Sequence, residues 1–291
     1  ARWVQLGAVS GVMRTQRNGI RVPDYERPQV EDPAQIANWR RYAKLRTQLY
    51  PYLAAAAEEY QRSGLPIMRH LVLAYPDDAN VLARDDQFLF GPDILAAPVL
   101  QPGATTRRAY LPEGRWVDFW RAVAFDEATG AFRIVAPATA AAGGREVEVP
   151  APLDQLPLFV RAGALLPLLP ADVDTLADFG GGGGGVVRLE DRRGERTLLA
   201  FPRGSSRAAL DHGSLVSLEL ATGWQLAIDG PNTRWTLEAS LATLERPFVP
   251  CAVSWRGETL PAGQWSYDRT TQVLRAVVNG TGQLSTRRSC S

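Results

Sequence analysis

The sequence predicts a mixed α and β chain: an α/β end-piece followed by two all-β sandwiches. Three observations carry this. Apolar residues recur at helical spacing from Ile36 to Tyr60. After about residue 85 the strand-like runs shorten and turn residues become frequent. From about residue 186 a second series of alternating runs begins, punctuated by glycines. A length of 291 residues admits about two domains at roughly 150 residues each.

Asp32-Pro33 fits an N-cap followed by proline in the first helical turn. Ile36, Trp39, Tyr42, Ala43, Leu49, Leu53, Ala57 and Tyr60 follow at helical spacing. Pro51 predicts a kink or two helices meeting there, and Gly64 a left-handed C-cap after Ser63. The run Leu65 to Leu73 then reads as one buried strand. A helix leading straight into a strand is an α/β unit, as in a barrel.

Further on, Phe88-Leu89-Phe90 is cut by Gly91-Pro92-Asp93, and Ile94 to Leu100 by Gln101-Pro102-Gly103. Arg108 to Pro112 and Arg115 to Trp120 flank Glu113-Gly114 and read as a hairpin. Leu158 to Arg161 and Ala164 to Leu168 flank Ala162-Gly163 and read as another strand pair. Gly180 to Gly185 is an unbroken glycine run, a tether or loop tip. Val186 to Glu190 alternates like a strand. Strand candidates follow at 196–201, 215–220, 224–229, 235–239, 252–255 and 273–278. The divisions are thus 1–85, 86–170, a Gly-rich linker or loop at 171–185, and 186–291.

Composition narrows the function. Hydrophobic residues make up 45% and charged residues 22%, a globular balance. Net charge is +1, so no global field favours nucleic acid or an anionic membrane, and no apolar run is long enough to span a bilayer. Lys44 is the only lysine. Two histidines and two cysteines are too few for a convincing zinc site, and no metal is expected. His70 reads as part of the buried strand and His212 as a turn residue, neither beside a nucleophile motif. Cys251 and Cys290 admit a disulfide or two buried free thiols. Asn279-Gly280-Thr281 fits a glycosylation acceptor, and with the Cys pair it leans toward an exported protein. The doublets Asp77-Asp78 and Asp85-Asp86 read as loop and capping residues. The chain opens Ala1-Arg2-Trp3 with no initiator Met and no leader pattern, as though inside a folded element.

Six segments in order carry a resemblance. Arg2-Trp3-Val4-Gln5-Leu6-Gly7-Ala8-Val9 is similar to an RWxQxGAF segment, with Met13-Arg14 beyond it. Glu31-Asp32-Pro33 leads to Leu45-Arg46-Thr47-Gln48-Leu49-Tyr50-Pro51-Tyr52, an LRxxLxPY helix. Pro66 to Arg69 with Tyr75 to Asp78, Gln87 to Val99, Tyr110 to Trp120, and Pro157 to Ala164 complete the series. Together they resemble the C-terminal third of glycoside hydrolase family 31, the α-glucosidase and α-xylosidase family.

The resemblance implies the last α/β units of a (β/α)8 barrel over residues 1–85, then two all-β sandwiches. It implies a retaining two-carboxylate mechanism without a cofactor, acting on an α-linked oligosaccharide or glycoside. Both reacting aspartates precede the RWxQxGAF segment in that family, so no catalytic residue is expected in this chain. Family members commonly carry Arg-x-His shortly after GAF. Here Arg14-Thr15-Gln16 stands in that place, which makes Arg14 and Gln16 the candidate sugar contacts. Gln16 can still donate to and accept from hydroxyls but cannot titrate near neutral pH. Two other readings remain open: a carbohydrate-binding or scaffolding module, with Trp116, Trp120, Trp224, Trp235, Trp255 and Trp265 available, and a transglycosylase of the same family.

Overall fold

The computed structural model describes residues 1–14, 30, 32–177 and 184–290. The helices are α1 (Arg2–Ala8), α2 (Pro33–Gln48), α3 (Tyr50–Ser63) and the single turn α4 (Phe119–Ala122). The strands up to the middle of the chain are β1 (Met68–Arg69), β2 (Phe88–Phe90), β3 (Ile94–Ala96), β4 (Thr106–Leu111), β5 (Arg115–Asp118), β6 (Val123–Phe125), β7 (Phe132–Ile134), β8 (Ala140–Ala142), β9 (Arg145–Pro150), β10 (Leu158–Arg161) and β11 (Leu165–Leu168). Then come β12 (Glu195–Ala200), β13 (Ser205–Leu210), β14 (Gly213–Leu220), β15 (Gly223–Asp229), β16 (Arg234–Ser240), β17 (Ala252–Trp255), β18 (Glu258–Thr259), β19 (Trp265–Asp268), β20 (Val273–Asn279) and β21 (Gly282–Arg287).

The chain is mostly β-sheet with few helices. A first sheet runs β1-β2-β3-β10-β5-β8, a second β11-β12-β16-β20-β19, and a third β13-β14-β15-β21-β17-β18. The ribbons β4-β9 and β6-β7 stand apart. Among the described residues the one parallel ladder is β12 with β16.

Strand alternation explains how the layers stack. In the first sheet, Leu89, Leu95, Trp116 and Phe159 face the β4-β9 ribbon and pack on Ala109, Leu111 and Val149. The opposite face offers Phe90, Ile94, Val117, Leu158 and Val160 to a core shared with Tyr42, Leu45, Leu49 and Tyr52 of the helices. Leu166, Leu168 and Leu199 of the second sheet join that same core. Their neighbours Leu165, Leu198 and Ala200 point the other way, into the core between the second and third sheets. The second sheet therefore lies between two cores, which is why Leu165 to Leu168 is buried at every position instead of alternating.

The helices begin and end where the sequence marks them. Pro33 and Pro51 lie in the first turns of α2 and α3, and Gly64 closes α3 at φ 76°. Several other expectations are corrected. The run 65–73 is not one strand; it keeps only β1, which pairs antiparallel with β2 and then tightens into a 3-10 turn at Leu71–Leu73. His70 caps that turn, its Nδ1 accepting from Val72 N at 3.1 Å, so it is not a buried strand residue. The hairpin expected over 108–120 is absent: β4 pairs with β9, while β5 pairs with β10 and β8. Likewise β10 and β11 are not partners, because the Ala162-Gly163 turn carries the chain from the first sheet to the second. Leu189–Arg192 forms a 3-10 turn where a strand was expected. Most of the glycine run lies outside the described residues.

Candidate functional site

The segment that opens the resemblance is the helix α1. Arg2 and Gln5 lie one helical turn apart and share a face. The Arg2 guanidinium donates to the carbonyls of Pro152 at 3.0 Å, Gln155 at 2.7 Å and Ala151 at 2.7 Å, with a longer contact to Ala104 at 3.3 Å. Gln5 is fully buried, and its Nε2 donates to Leu153 O at 2.7 Å and Asn38 Oδ1 at 3.1 Å. These two side chains fasten α1 to the loop before β10. Trp3 projects from another face and is 84% exposed.

Beyond α1, Arg46 of α2 donates to the carbonyls of Ser10 and Gly11 and holds the turn that leads to Arg14. Arg14 is exposed at the end of that turn. Gln16, its expected companion, lies outside the described residues. The exposed large apolar side chains of this part of the chain include Trp3, Val12, Ile36, Tyr60, Met68 and Leu73.

Around Asp93 the structure assembles a polar cluster that single-sequence reasoning missed. The Tyr52 hydroxyl donates to Phe90 O at 2.7 Å and accepts from Asp93 N at 2.9 Å. Gly91 sits between them at φ 62°, and a Cβ there would overlap the Tyr52 ring, so this turn requires glycine on both counts. The Asp93 carboxyl is pushed up to about 6, first by burial and further by Glu59, with Arg161 and Arg69 opposing. Arg69 pairs with Glu59, and Arg161 donates to the Tyr75 hydroxyl at 2.8 Å. The four charged residues come from positions 59, 69, 93 and 161, which no local motif links.

One aspartate of each doublet has a structural partner. Asp78 caps Ala79–Val81 and accepts from the Tyr110 hydroxyl at 2.7 Å, a bond that holds its carboxyl below the usual range. Asp86 pairs with Arg107 at 2.7 Å. Cys251 and Cys290 are joined, with their Cα atoms 5.9 Å apart. Among the described residues, no group of three His, Cys, Asp or Glu side chains could hold a metal, and no helix is long and apolar enough to cross a membrane.

A family profile described as the Glycosyl hydrolase family 31 C-terminal domain matches residues 64–166, the stretch from the end of α3 to β11. Residues 64–166 thus correspond to the C-terminal domain of glycosyl hydrolase family 31. An isomaltosyltransferase of Sporosarcina globispora is 34% identical over 175 residues, covering 57% of this chain and 14% of the relative. An α-xylosidase of Saccharolobus solfataricus is 37% identical over 140 residues, covering 48% of this chain and 17% of the relative. The chain thus spans less than a fifth of the length of these relatives. A Flavobacterium johnsoniae family 31 dextranase solved with isomaltotriose superposes at a TM-score of 0.73 and 22% identity, covering 98% of this chain and 36% of that one. That likeness extends the shared fold past the profile's limits, through α1 to α3 and all three sheets.

Proposed function

We propose that this chain is the C-terminal part of a retaining α-glycosidase that hydrolyses O-glycosyl bonds of an α-linked oligosaccharide or glycoside. Two carboxylates outside these residues perform the chemistry. One attacks the anomeric carbon while the other protonates the leaving oxygen, and water then releases the glycosyl-enzyme intermediate with the second carboxylate acting as base. In this reading residues 1–85 are the last α/β units of a (β/α)8 barrel, followed by sandwiches over 86–170 and 186–291. Arg14 and Gln16 hydrogen-bond the bound sugar.

The docking of α1 carries this reading. Its Arg2 and Gln5 are spent on backbone carbonyls and a neighbouring amide, while Trp3 and the turn toward Arg14 are left facing outward. An indole that open on a helix so firmly held supports a surface made to meet something else. A single test addresses the placement of the carboxylates. The 291-residue chain alone, incubated with an aryl α-glucoside, is expected to release no phenol, and genuine turnover would overturn the reading. In a longer protein carrying both carboxylates, Gln16→Ala is expected to lower kcat/KM about tenfold.

A transferase reading rests on the same intermediate, with a second sugar in place of water. The isomaltosyltransferase among the relatives favours keeping it in view. Product analysis with an excess of acceptor sugar separates the two: hydrolysis yields free monosaccharide, transfer a longer oligosaccharide.

A further inference from the structure

The sandwich of second and third sheets is open along one margin. There β19 ends the second sheet and β18 ends the third, so two terminal strands face each other across a gap. The gap holds a cleft of about 510 Å³. Its walls include Thr259, Leu260, Trp265, Ser266, Tyr267 and Arg269.

Trp265 and Tyr267 are two positions apart on β19, so both point to the same face, with their Cα atoms roughly 7 Å apart along the strand. Each packs partly against the core between the sheets, is half-buried, and also lines the cleft. Arg269 at the rim is the single charged side chain among the lining residues, and no carboxylate joins it. The hydroxyls of Thr259 and Tyr267 add donors and acceptors. Two rigid, partly anchored rings beside several neutral hydrogen-bonding groups suit an uncharged polyol with apolar C–H faces. They do not suit a polyanion, which would need clustered cations.

The first sheet offers a contrast. A cleft of about 530 Å³ beside the β4-β9 ribbon is lined by Asp118, Arg121, Arg145 and Glu148. Its aromatic residues Trp116 and Phe159 are only 1% and 3% exposed, so neither presents a face for stacking.

We propose that the β18-β19 margin is a saccharide-binding site, separate from Arg14 and Gln16, that takes a short α-linked oligosaccharide by stacking on Trp265 and Tyr267. Arg269 and the hydroxyls at the rim fix its register. The choice of an α-linked ligand rests on the α-glycosidase reading; the existence of the cleft does not.

The test is titration of the full 291-residue chain with maltotetraose and with isomaltotriose, by calorimetry and by amide chemical shifts. Saturable binding is expected in the millimolar range or tighter, with shifts concentrated at residues 259–269. Trp265→Ala is expected to weaken binding about tenfold and Tyr267→Phe less than about twofold, since the second keeps the ring. Trp265 touches the core, so Arg269→Ala, at an exposed position, serves as the variant that leaves the fold intact; it is expected to weaken binding about threefold. Absence of saturation through the millimolar range overturns the proposal, as does binding that none of these variants changes. Binding of cello-oligosaccharide but neither α-glucan overturns the ligand class, and a chain that dimerises through this margin overturns the site. None of these outcomes depends on the glycosidase assay, which fails or succeeds by itself.

Discussion

The N-terminal helices and the sandwich of second and third sheets are attached by different physics. Helices α1 and α2 reach across to loops with long polar side chains that end on backbone carbonyls. Arg2, Gln5 and Arg46 do so, and Lys44 donates to Ala171 O and Val173 O, both at 3.0 Å, and to Asp174 at 2.7 Å. Their apolar faces add to a core they share with the first and second sheets. The sandwich instead builds a core from its own two sheets, interleaving Leu215, Trp224, Leu226 and Leu237 between them. An element that borrows its core depends on the partner that supplies it, whereas a sandwich that owns its core does not.

Paired truncations of large buried side chains break this comparison most sharply. Tyr52→Ala removes a ring from the shared core and leaves Phe90 O and Asp93 N without their partner, costing about 3–5 kcal/mol. Trp224→Ala removes a ring of the sandwich core and the bond from its Nε1 to Ser217 Oγ, with a similar cost. In urea titrations followed by hydrogen exchange, Tyr52→Ala is expected to lower protection in α2, α3 and the first sheet while sparing β13 to β15. Trp224→Ala is expected to lower protection of the third sheet first. Equal loss everywhere would show one cooperative unit.

The disulfide sharpens the same point on a smaller scale. It joins residues 39 positions apart and ties the end of β21 to the strand beside it. Replacing both cysteines by serine is expected to cost about 2–4 kcal/mol, largely by freeing the unfolded chain. Thermal melts with and without reductant should differ for the wild-type chain and coincide for the double variant. The loss should fall on the sandwich and leave the helices protected.

A smaller effect marks the junction on the helical side. Asp93, raised to about 6 in the fold against 3.8 unfolded, binds more protons folded than unfolded between those values. Stability from this group is therefore greatest below about pH 4 and falls as pH rises to about 6. Asp93→Asn is expected to flatten the stability profile across that window by about 2–3 kcal/mol. The groups facing it are Glu59, Arg69 and Arg161, so urea midpoints of the variant and wild type at pH 4, 5, 6 and 7 isolate its contribution.

What could be read from sequence follows the range of the interactions. Pro33, Pro51 and Gly64 act within a turn of themselves, and the helix limits they mark are those observed. The alternating runs of the last hundred residues became strands because alternation is local too, although β13, β18, β19 and β21 escaped notice. Their sequences set few apolar residues among polar ones, which weakens the pattern. Pairing was less legible than strand existence. Glu113-Gly114 looked like a hairpin turn, yet β4 found β9 and β5 found β10, because burial of Leu111 and Trp116 against the first sheet outweighs a turn preference. The Asp93 cluster stayed hidden because Gly91-Pro92-Asp93 announces only a turn. The motif residues Arg2 and Gln5 announced a family, but only the fold reveals that they act as fasteners.

The lone lysine has a practical consequence. Lys44 is the single side-chain amine in the sequence, and in the fold its three protons are committed to Ala171, Val173 and Asp174. An acylating reagent that targets side-chain amines thus finds one address, open to attack only when α2 parts from the loop beyond β11. The rate of acylation at Lys44 becomes a clock for that parting, read by peptide mass spectrometry without any engineered label.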